Sequence, residues 1–211
     1  MPDVFNHDPR TGTYRNVTTG RFISNAEVRA VVDVLADNAA IHNHILTQAL
    51  RNDQITLAEW QTRMLANIKA SHVAAGVAAH GGRGAMTPAD WGFIGHEIRG
   101  QYGYLRDFAN GIAAGTIPLD GRLPVRAAMY GSHSRVMFET VRARDDASRG
   151  YDEERNYLHA DESCPDCTAL SGQWVPLGTL TPIGMRQCLA NCKCTIARRK
   201  SPATRGIRMV G

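Results

Sequence analysis

The sequence predicts a mainly α protein, in which a bundle of about four long helices is followed by a small ribbon-like module rich in cysteine. Three observations support this prediction. Apolar residues recur at helical spacing between residues 25 and 150, and no strand-like alternation interrupts them. Helix-capping signals open the first three of these segments. All five cysteines then lie between residues 164 and 194, which indicates a module held together by different chemistry.

Length and composition set the scale of the molecule. A chain of 211 residues can bury one good core and carry a small second module. Its hydrophobic fraction of 43% and charged fraction of 21% are typical of a soluble globular protein. No stretch resembles a secretory signal or a membrane span. We therefore expect the protein to be made in a reducing cytoplasm, where cysteines stay unpaired.

Residues 1–24 are polar and rich in turn-forming residues. The segments 13–17 and 21–23 flank Thr18-Thr19-Gly20 and predict a small hairpin. Because two short strands are marginally stable alone, we interpret residues 1–24 as an arm that becomes ordered by docking. A frayed terminus explains the same composition equally well.

Three helices should begin with a capping box, in which a hydroxyl stands three residues before an acid. The pairs are Ser24 with Glu27, Thr56 with Glu59, and Thr87 with Asp90. A fourth helix is predicted from about Arg122 to Asp146, because apolar residues continue at helical spacing. Positions predicted to face the core include Val28, Val31, Val32 and Ile45 of the first helix and Val125 of the fourth. The four helices would form a bundle over residues 25–150.

Candidates for catalysis within the helical segment are poor. His96-Glu97 begins like the zinc-binding H-E-x-x-H motif, but the second histidine is missing. His72 and His133 are isolated in the sequence and are best explained as solvated or hydrogen-bonded side chains. No glycine-rich phosphate loop or nucleophile elbow is present either. We predict no catalytic residue and no enzymatic activity.

The cysteines have the spacing of a structural zinc site. Cys164 and Cys167 form a C-x2-C pair, and a C-x3-C-x-C cluster follows after twenty residues. Such a site requires four thiolates at about 2.3 Å from one ion. Cys188 and Cys192 are one helical turn apart, whereas Cys192 and Cys194 would share one face of a strand. We predict structural Zn²⁺ bound by Cys164, Cys167, Cys188 and Cys192, with Cys194 as the alternative fourth ligand.

Disulfides, redox chemistry and unrelated buried thiols account less well for the cysteines. Disulfides are disfavoured by the odd number and by the expected reducing compartment. A redox C-x2-C motif requires a preceding strand, which residues 159–163 do not resemble. Unrelated buried thiols would not cluster. The module over residues 151–197 also has few large apolar residues, apart from a Trp174 that we expect to be buried, so metal binding would supply about 10 kcal/mol of folding free energy.

Residues 198–211 have a charge of their own. The segment carries five bases and no acid: Arg198, Arg199, Lys200, Arg205 and Arg208. Clustered cations can bind nucleic acid through counterion release, or an acidic protein surface. We predict a basic tail that contacts packaged DNA or an acidic partner; a disordered solubilising end is the alternative.

The cysteine module resembles a known family. Cys164-Pro-Asp-Cys167, the segment Gly-Gln-Trp-Val-Pro-Leu-Gly-Thr-Leu at 172–180, and Asn191-Cys192-Lys193-Cys194-Thr195 are similar to the C-terminal motif of phage Mu F-like head-morphogenesis (minor capsid) proteins. In that family the C-x2-C pair is followed by a His-Pro-Asn-Cys-Arg-Cys ending. The chain departs from it at the histidine, because Cys188 stands one residue further back.

The resemblance implies a non-enzymatic virion component or assembly factor. Members of the family are associated with the portal vertex or the inside of the phage head. The partners expected from this resemblance are portal or capsid proteins, with several copies of the chain in each particle. A zinc-ribbon protein that binds nucleic acid, or a regulator of that kind, is the alternative function.

Overall fold

The computed structural model describes residues 5–8 and 13–205, and the chain divides into two compact units, Met1–Phe138 and Glu139–Gly211. It is mainly helical and contains two small three-stranded sheets. Over the described ranges, no helix has both the length and the apolar content that a membrane crossing requires. The sequence predicts a module boundary at 150, whereas the division lies within a helix at 138/139.

The first unit opens with an antiparallel sheet in the order β1-β2-β3. Its strands are β1 (Phe5–Asp8), β2 (Thr13–Asn16) and β3 (Phe22–Ile23). The turn at Thr18-Thr19-Gly20 joins β2 to β3, where the sequence indicates a hairpin. Tyr14 is fully buried, and its hydroxyl donates a hydrogen bond of 2.9 Å to the carbonyl of Ala79. This contact fixes the sheet against the end of a long helix. The remainder of the predicted arm, residues 1–4 and 9–12, lies outside the described residues.

Three long helices follow: α1 (Asn25–Arg51), α2 (Leu57–His80) and α3 (Pro88–Ala113). All three predicted capping boxes are confirmed, with both hydrogen bonds of each box present. Each box satisfies two backbone N–H groups that a helix start otherwise leaves unpaired. The helices therefore begin where local chemistry dictates.

The single helix predicted from Arg122 to Asp146 is wrong. The chain forms α4 (Leu123–Ser132) and α5 (Ser134–Ser148), interrupted at His133. The hydroxyl of Ser134 donates 2.8 Å to the carbonyl of Gly131, which competes with regular helical bonding. Gly131 itself lies so close to α1 that an added Cβ would stand 2.3 Å from the Ala40 nitrogen. α4 thus packs directly on the backbone of α1 next to the break.

The core of the first unit surrounds an aromatic pair. Trp60 and Phe108 meet edge to face, with ring centroids 5.6 Å apart. The Trp60 indole N–H donates 2.9 Å to the Thr47 hydroxyl, so its polar group is satisfied although the side chain is fully buried. Thr47, Trp60 and Phe108 therefore connect α1, α2 and α3 in the core.

The prediction of core positions is only partly confirmed. Val28 and Val32 are buried as expected. Val31, Ile45 and Val125 were expected to face the core, and this is wrong, because they are 43%, 57% and 61% exposed. The buried stripe of α1 instead follows a 3.6-residue period, through Ala36, Ala39, Leu46 and Leu50.

The second unit contains the end of α5 and a sheet in the order β5-β4-β6. Its elements are β4 (Glu153–Tyr157), α6 (Pro165–Ala169), β5 (Val175–Pro176), β6 (Thr195–Arg199) and α7 (Pro202–Arg205). β4 pairs antiparallel with both neighbours. The tail was expected to begin at residue 198, but β6 continues to Arg199. Strand β6 therefore contains two of the predicted tail cations, Arg198 and Arg199.

Two histidines that look isolated in the sequence meet inside the first unit. The rings of His72 and His133 stack with centroids 5.5 Å apart, and His72 Nε2 lies 3.3 Å from His133 Nδ1. The other nitrogen of His72 lies 2.9 Å from the carbonyl of Ile68. Burial, reinforced by the facing ring, lowers the pKa of His72 to about 3, and burial lowers the pKa of His133 to about 4.

These pKa values predict acid sensitivity. Below pH 6.5 the two histidines bind protons in the unfolded chain but stay neutral in the folded one, so the unfolding free energy falls as pH decreases towards 4. The loss should be about 2 kcal/mol per histidine between pH 6.5 and pH 5. Denaturant titrations at several pH values should show a shallower dependence for His133→Asn than for the wild type. Equal slopes for the two proteins would contradict this account.

Candidate metal centre

The first pair of cysteines frames the start of α6. Cys164 is the N-cap residue and has an extended backbone, with φ −64° and ψ 156°, whereas the helix begins at Pro165. The Thr168 N–H donates 3.0 Å to the Cys164 carbonyl and closes the turn. This change from extended to helical backbone directs both thiols towards the same side. We call residues 164–167 the first knuckle.

The remaining cysteines belong to a second turn, residues 188–194, which we call the second knuckle. Between Cys188 and Cys192 the chain makes a 3₁₀ turn at Leu189–Asn191. Leu189 has a left-handed φ of 48°, a conformation that costs a branched residue about 1 kcal/mol or more. Cys194 then leads into β6. The cysteines of the second knuckle are therefore positioned by a strained turn. The i, i+4 spacing of Cys188 and Cys192 instead suggests a regular helical turn.

The two knuckles bring their sulfur atoms together. The Cys167 Sγ lies 3.6 Å from the Sγ of Cys188 and 3.6 Å from the Sγ of Cys192. A tetrahedral ion with metal–sulfur bonds of about 2.3 Å would hold its sulfurs about 3.8 Å apart. Two triads have all their sulfurs within 4.8 Å of one another: Cys164, Cys167 and Cys188, and Cys167, Cys192 and Cys194. All five cysteines thus cluster, and Cys167 belongs to both triads.

The thiols differ in acidity. Burial raises the pKa of Cys194 to about 12 and, together with its sulfur neighbours, raises that of Cys188 above its usual range. Burial also acts to raise the pKa of Cys192, but hydrogen bonds from the Cys194 backbone and the neighbouring thiols outweigh it, so the Cys192 pKa is lowered. Metal ligands must be deprotonated. Cys192 is therefore the most easily deprotonated thiol of the second knuckle, whereas Cys188 and Cys194 would need the ion itself to lose their protons.

A buried arginine lies beside the sulfurs. Arg186 is fully buried, and its Nη1 lies 3.7 Å from the Cys167 Sγ. The same nitrogen donates 2.8 Å to the Asn156 side chain, and Nε donates 2.8 Å to the Thr181 carbonyl. Four thiolates around a divalent ion carry a net charge of about −2. The guanidinium of Arg186 would offset part of this negative charge.

Asn156 ties the central strand β4 to the first knuckle. Its side chain is 1% exposed, donates 3.1 Å to the Cys167 carbonyl and accepts from Arg186. On the surface, the Asp166 carboxylate accepts a hydrogen bond of 2.8 Å from the Gln187 N–H. This bond links the first knuckle to the residue that precedes the second knuckle. Sequence reasoning missed Asn156 and Arg186. Neither residue carries a local signal, because their partners are distant in the chain.

The predicted basic contact residues have different surroundings. The Arg198 side chain is 4% exposed and lies 3.6 Å from Asp146 and 3.9 Å from Glu154. Arg199 contacts Glu153 at 2.7 Å, and its guanidinium lies over the ring of a nearby tryptophan. Carboxylates of the same unit therefore engage both arginines, and their contact with DNA or an acidic partner stays a prediction.

The other three predicted contact residues follow β6. Lys200 is exposed. The side chain of Arg205 and all of Arg208 lie outside the described part of the chain. Their contacts with DNA or an acidic partner stay a prediction.

A buried carboxylate holds the segment between the knuckles. Glu154 is 4% exposed, and its Oε1 accepts hydrogen bonds of 3.0 Å from the Gly178 N–H and 2.8 Å from the Leu180 N–H. Trp174, expected to be buried, is half-buried, and its ring centroid lies 4.1 Å from the Arg199 guanidinium carbon. The irregular segment is thus ordered mainly by polar contacts, which a hydrophobicity pattern does not show.

Comparison with known proteins identifies no relative: no family model, curated protein or solved structure matches the chain significantly. Function must therefore be inferred from the residues of the chain itself.

Because Cys167 belongs to both sulfur triads, we expect Cys167→Ser to abolish metal binding by the purified protein. Cys194→Ser should retain a content of about one ion per chain, since four thiols remain, the number that a tetrahedral site requires. Elemental analysis of the two variants and the wild type measures this directly. Metal retained in Cys167→Ser, or lost in Cys194→Ser and kept in Cys192→Ser, would contradict the assignment.

Arg186 should govern how firmly the metal is held. Arg186→Gln removes the positive charge beside Cys167, so we expect release of the ion to a chelator to accelerate about tenfold or more. Arg186→Lys keeps the positive charge but loses the planar guanidinium that makes several hydrogen bonds at once. Its rate of metal release should therefore lie between those of Arg186→Gln and the wild type. Arg199→Gln, in the same unit but at a residue that pairs with Glu153, is the matched control. Identical release rates for Arg186→Gln and this control would disprove the role.

Proposed function

We propose that the second unit is a structural zinc module with Cys164, Cys167, Cys188 and Cys192 as its ligands. The observation that carries this proposal is the 3.6 Å separation of sulfurs from two knuckles that are distant in the sequence. An all-thiolate set favours Zn²⁺ over hard cations such as Mg²⁺ and Ca²⁺. Four protein ligands also fill the coordination sphere and leave no open position for a substrate. Zinc therefore acts here as a cross-link.

The cross-link compensates for the small core of the module. The strands of the second unit are five residues or shorter, and polar groups such as Glu154, Asn156 and Arg186 occupy its interior. A sheet of this size is marginal without further support. One ion that ties the first knuckle, at the start of α6, to the second knuckle would supply that support.

We further propose that the chain is a non-enzymatic phage structural or assembly protein of the Mu F-like minor head type. The residues that carry this resemblance coincide with those that build the candidate metal centre. Segment 164–167 forms the first knuckle, segment 191–194 closes the second, and the stretch 172–180 includes the loop held by Glu154. Matching residues that together build one site support a family proposal more strongly than the same number of isolated matching residues would.

In this proposal the helical unit docks on portal or capsid subunits, and the zinc module gives the protein a rigid C-terminal end. The chain would be made in the host cytoplasm and built into the head or neck of the virion in several copies. Lys200, Arg205 and Arg208 are the tail cations that would contact packaged DNA or an acidic capsid surface.

Incorporation into particles tests the structural role. Phage heads purified from cells that carry the wild-type gene should contain the chain, detected and counted by mass spectrometry. Cys167→Ser should leave the helical content of the protein largely intact, as judged by circular dichroism, yet abolish incorporation. Cys194→Ser, which keeps four thiols, is the control and should be incorporated. Heads that are complete and infectious without the chain would exclude the proposal.

A nucleic-acid-binding zinc ribbon is the alternative function, favoured by the basic residues that close the chain. Binding of this kind should weaken with salt, with a slope that reflects the number of phosphate contacts. A variant with Lys200, Arg205 and Arg208 replaced by Ala would then lose DNA affinity, whereas replacing the internally paired Arg199 would change it little. If wild type and triple variant bind DNA equally weakly at low salt, the alternative is excluded.

A further inference from the structure

Helix α1 carries an apolar stripe on its outer side. Val31, Val34, Ile41 and Ile45 are between 43% and 60% exposed, and Asn38 lies between the second and third of them. Their spacing of three, four, three and four residues is that of the a and d positions of a heptad repeat. We call these five residues the α1 seam. A single exposed apolar residue needs no explanation, but four along one face indicate an interaction surface.

An open groove runs beside the α1 seam, between α1 and α2. Its volume is about 730 Å³, and Val31 and Asn38 belong to both the groove and the seam. On the α2 side the lining includes the small residues Ala66, Ala70 and Ala74. Small side chains at one-turn spacing allow another helix to approach closely. The first unit therefore presents a convex ridge and a concave groove on one continuous face.

We propose that this face binds a second copy of the same chain, with the α1 seam of each copy in the α1–α2 groove of the other. A ridge adjoining a groove is self-complementary under a two-fold axis, which is what an isologous dimer requires. The resulting interface would consist of four helices, α1 and α2 from each copy. This inference is independent of the zinc module, because every residue involved lies in the first unit.

The character of the seam favours a second copy over a small ligand. A polar Asn at one a position of an otherwise apolar heptad seam is a device that fixes register and oligomeric state between helices. Charges near the face are also of opposite sign. Lys69 lines the groove, and Asp37, whose side chain is 56% exposed although it pairs with Arg135, flanks the α1 seam. In the dimer, Asp37 beside the α1 seam of one copy can thus approach Lys69 in the groove of the other copy.

The dimensions match those of a small dimer interface. The α1 seam runs over 15 residues from Val31 to Ile45 and is about 22 Å long at 1.5 Å per residue. Two neighbouring helices make a face about 20 Å wide, so the part of the face that the seam spans covers about 440 Å² on each copy. An interface of this size is typical of weak association.

Sedimentation and light scattering of the zinc-loaded full chain test this proposal. The wild type should dimerise with a dissociation constant in the micromolar range. Ile41→Glu places a charge in the apolar seam of both copies and should raise the dissociation constant at least about 100-fold. Val125→Glu, at a residue 61% exposed on α4, is the matched control and should dimerise like the wild type. Circular dichroism should be alike for all three proteins.

A second variant acts in the opposite direction. Asn38→Leu removes the polar residue from the seam and should tighten association while admitting higher oligomers, an effect that misfolding would not produce. A wild type that stays monomeric at on the order of 100 μM would overturn the proposal, and so would a dimer that both Ile41→Glu and Val125→Glu leave intact. A monomer whose groove binds an apolar dye, with the dye lost in Ile41→Glu, would show a different occupant and also overturn it.

Discussion

The second unit depends on one constraint, the convergence of sulfur atoms from two turns that are about twenty residues apart. Neither knuckle can hold this geometry alone, because thiols in contact gain little from one another without an ion between them. The surrounding polar groups are arranged to support the convergence. Asn156 and Arg186 link β4 to the first knuckle, and Glu154 anchors the loop that separates the two. In such a module, metal binding and folding are the same event.

The first unit is built on different physics. Its helices start at capping boxes, its core surrounds Trp60 and Phe108, and its terminal sheet is fixed by the buried Tyr14 hydroxyl. None of these features involves a thiol, so loss of the metal should leave the helices in place. This division suits the proposed role, in which the helical unit binds partner proteins and the zinc module stiffens the end of the chain. A protein that assembles needs surfaces of fixed shape, and zinc can fix the shape of a module too small to do so by apolar packing.

Local signals predicted much of this architecture. Capping boxes and the cysteine spacing act over a few residues, so the first three helix starts and the cluster of five thiols could be derived from the sequence. Three features could not. The break at His133 lies beside a contact between Gly131 and α1, two segments far apart in the sequence, and the pairing of Arg198 depends on carboxylates on α5 and β4. Arg186 stands in an irregular stretch with no periodicity, and its place beside Cys167 follows only from the tertiary structure.

X-ray absorption at the zinc edge, measured on protein purified without added metal, addresses the central claim most directly because it reports both the element and its neighbours. Our account predicts one zinc per chain, surrounded by about four sulfur atoms at about 2.3 Å and by no light-atom ligand. A sample without zinc, or one whose zinc is bound by nitrogen and oxygen atoms in place of the cysteines, would contradict it.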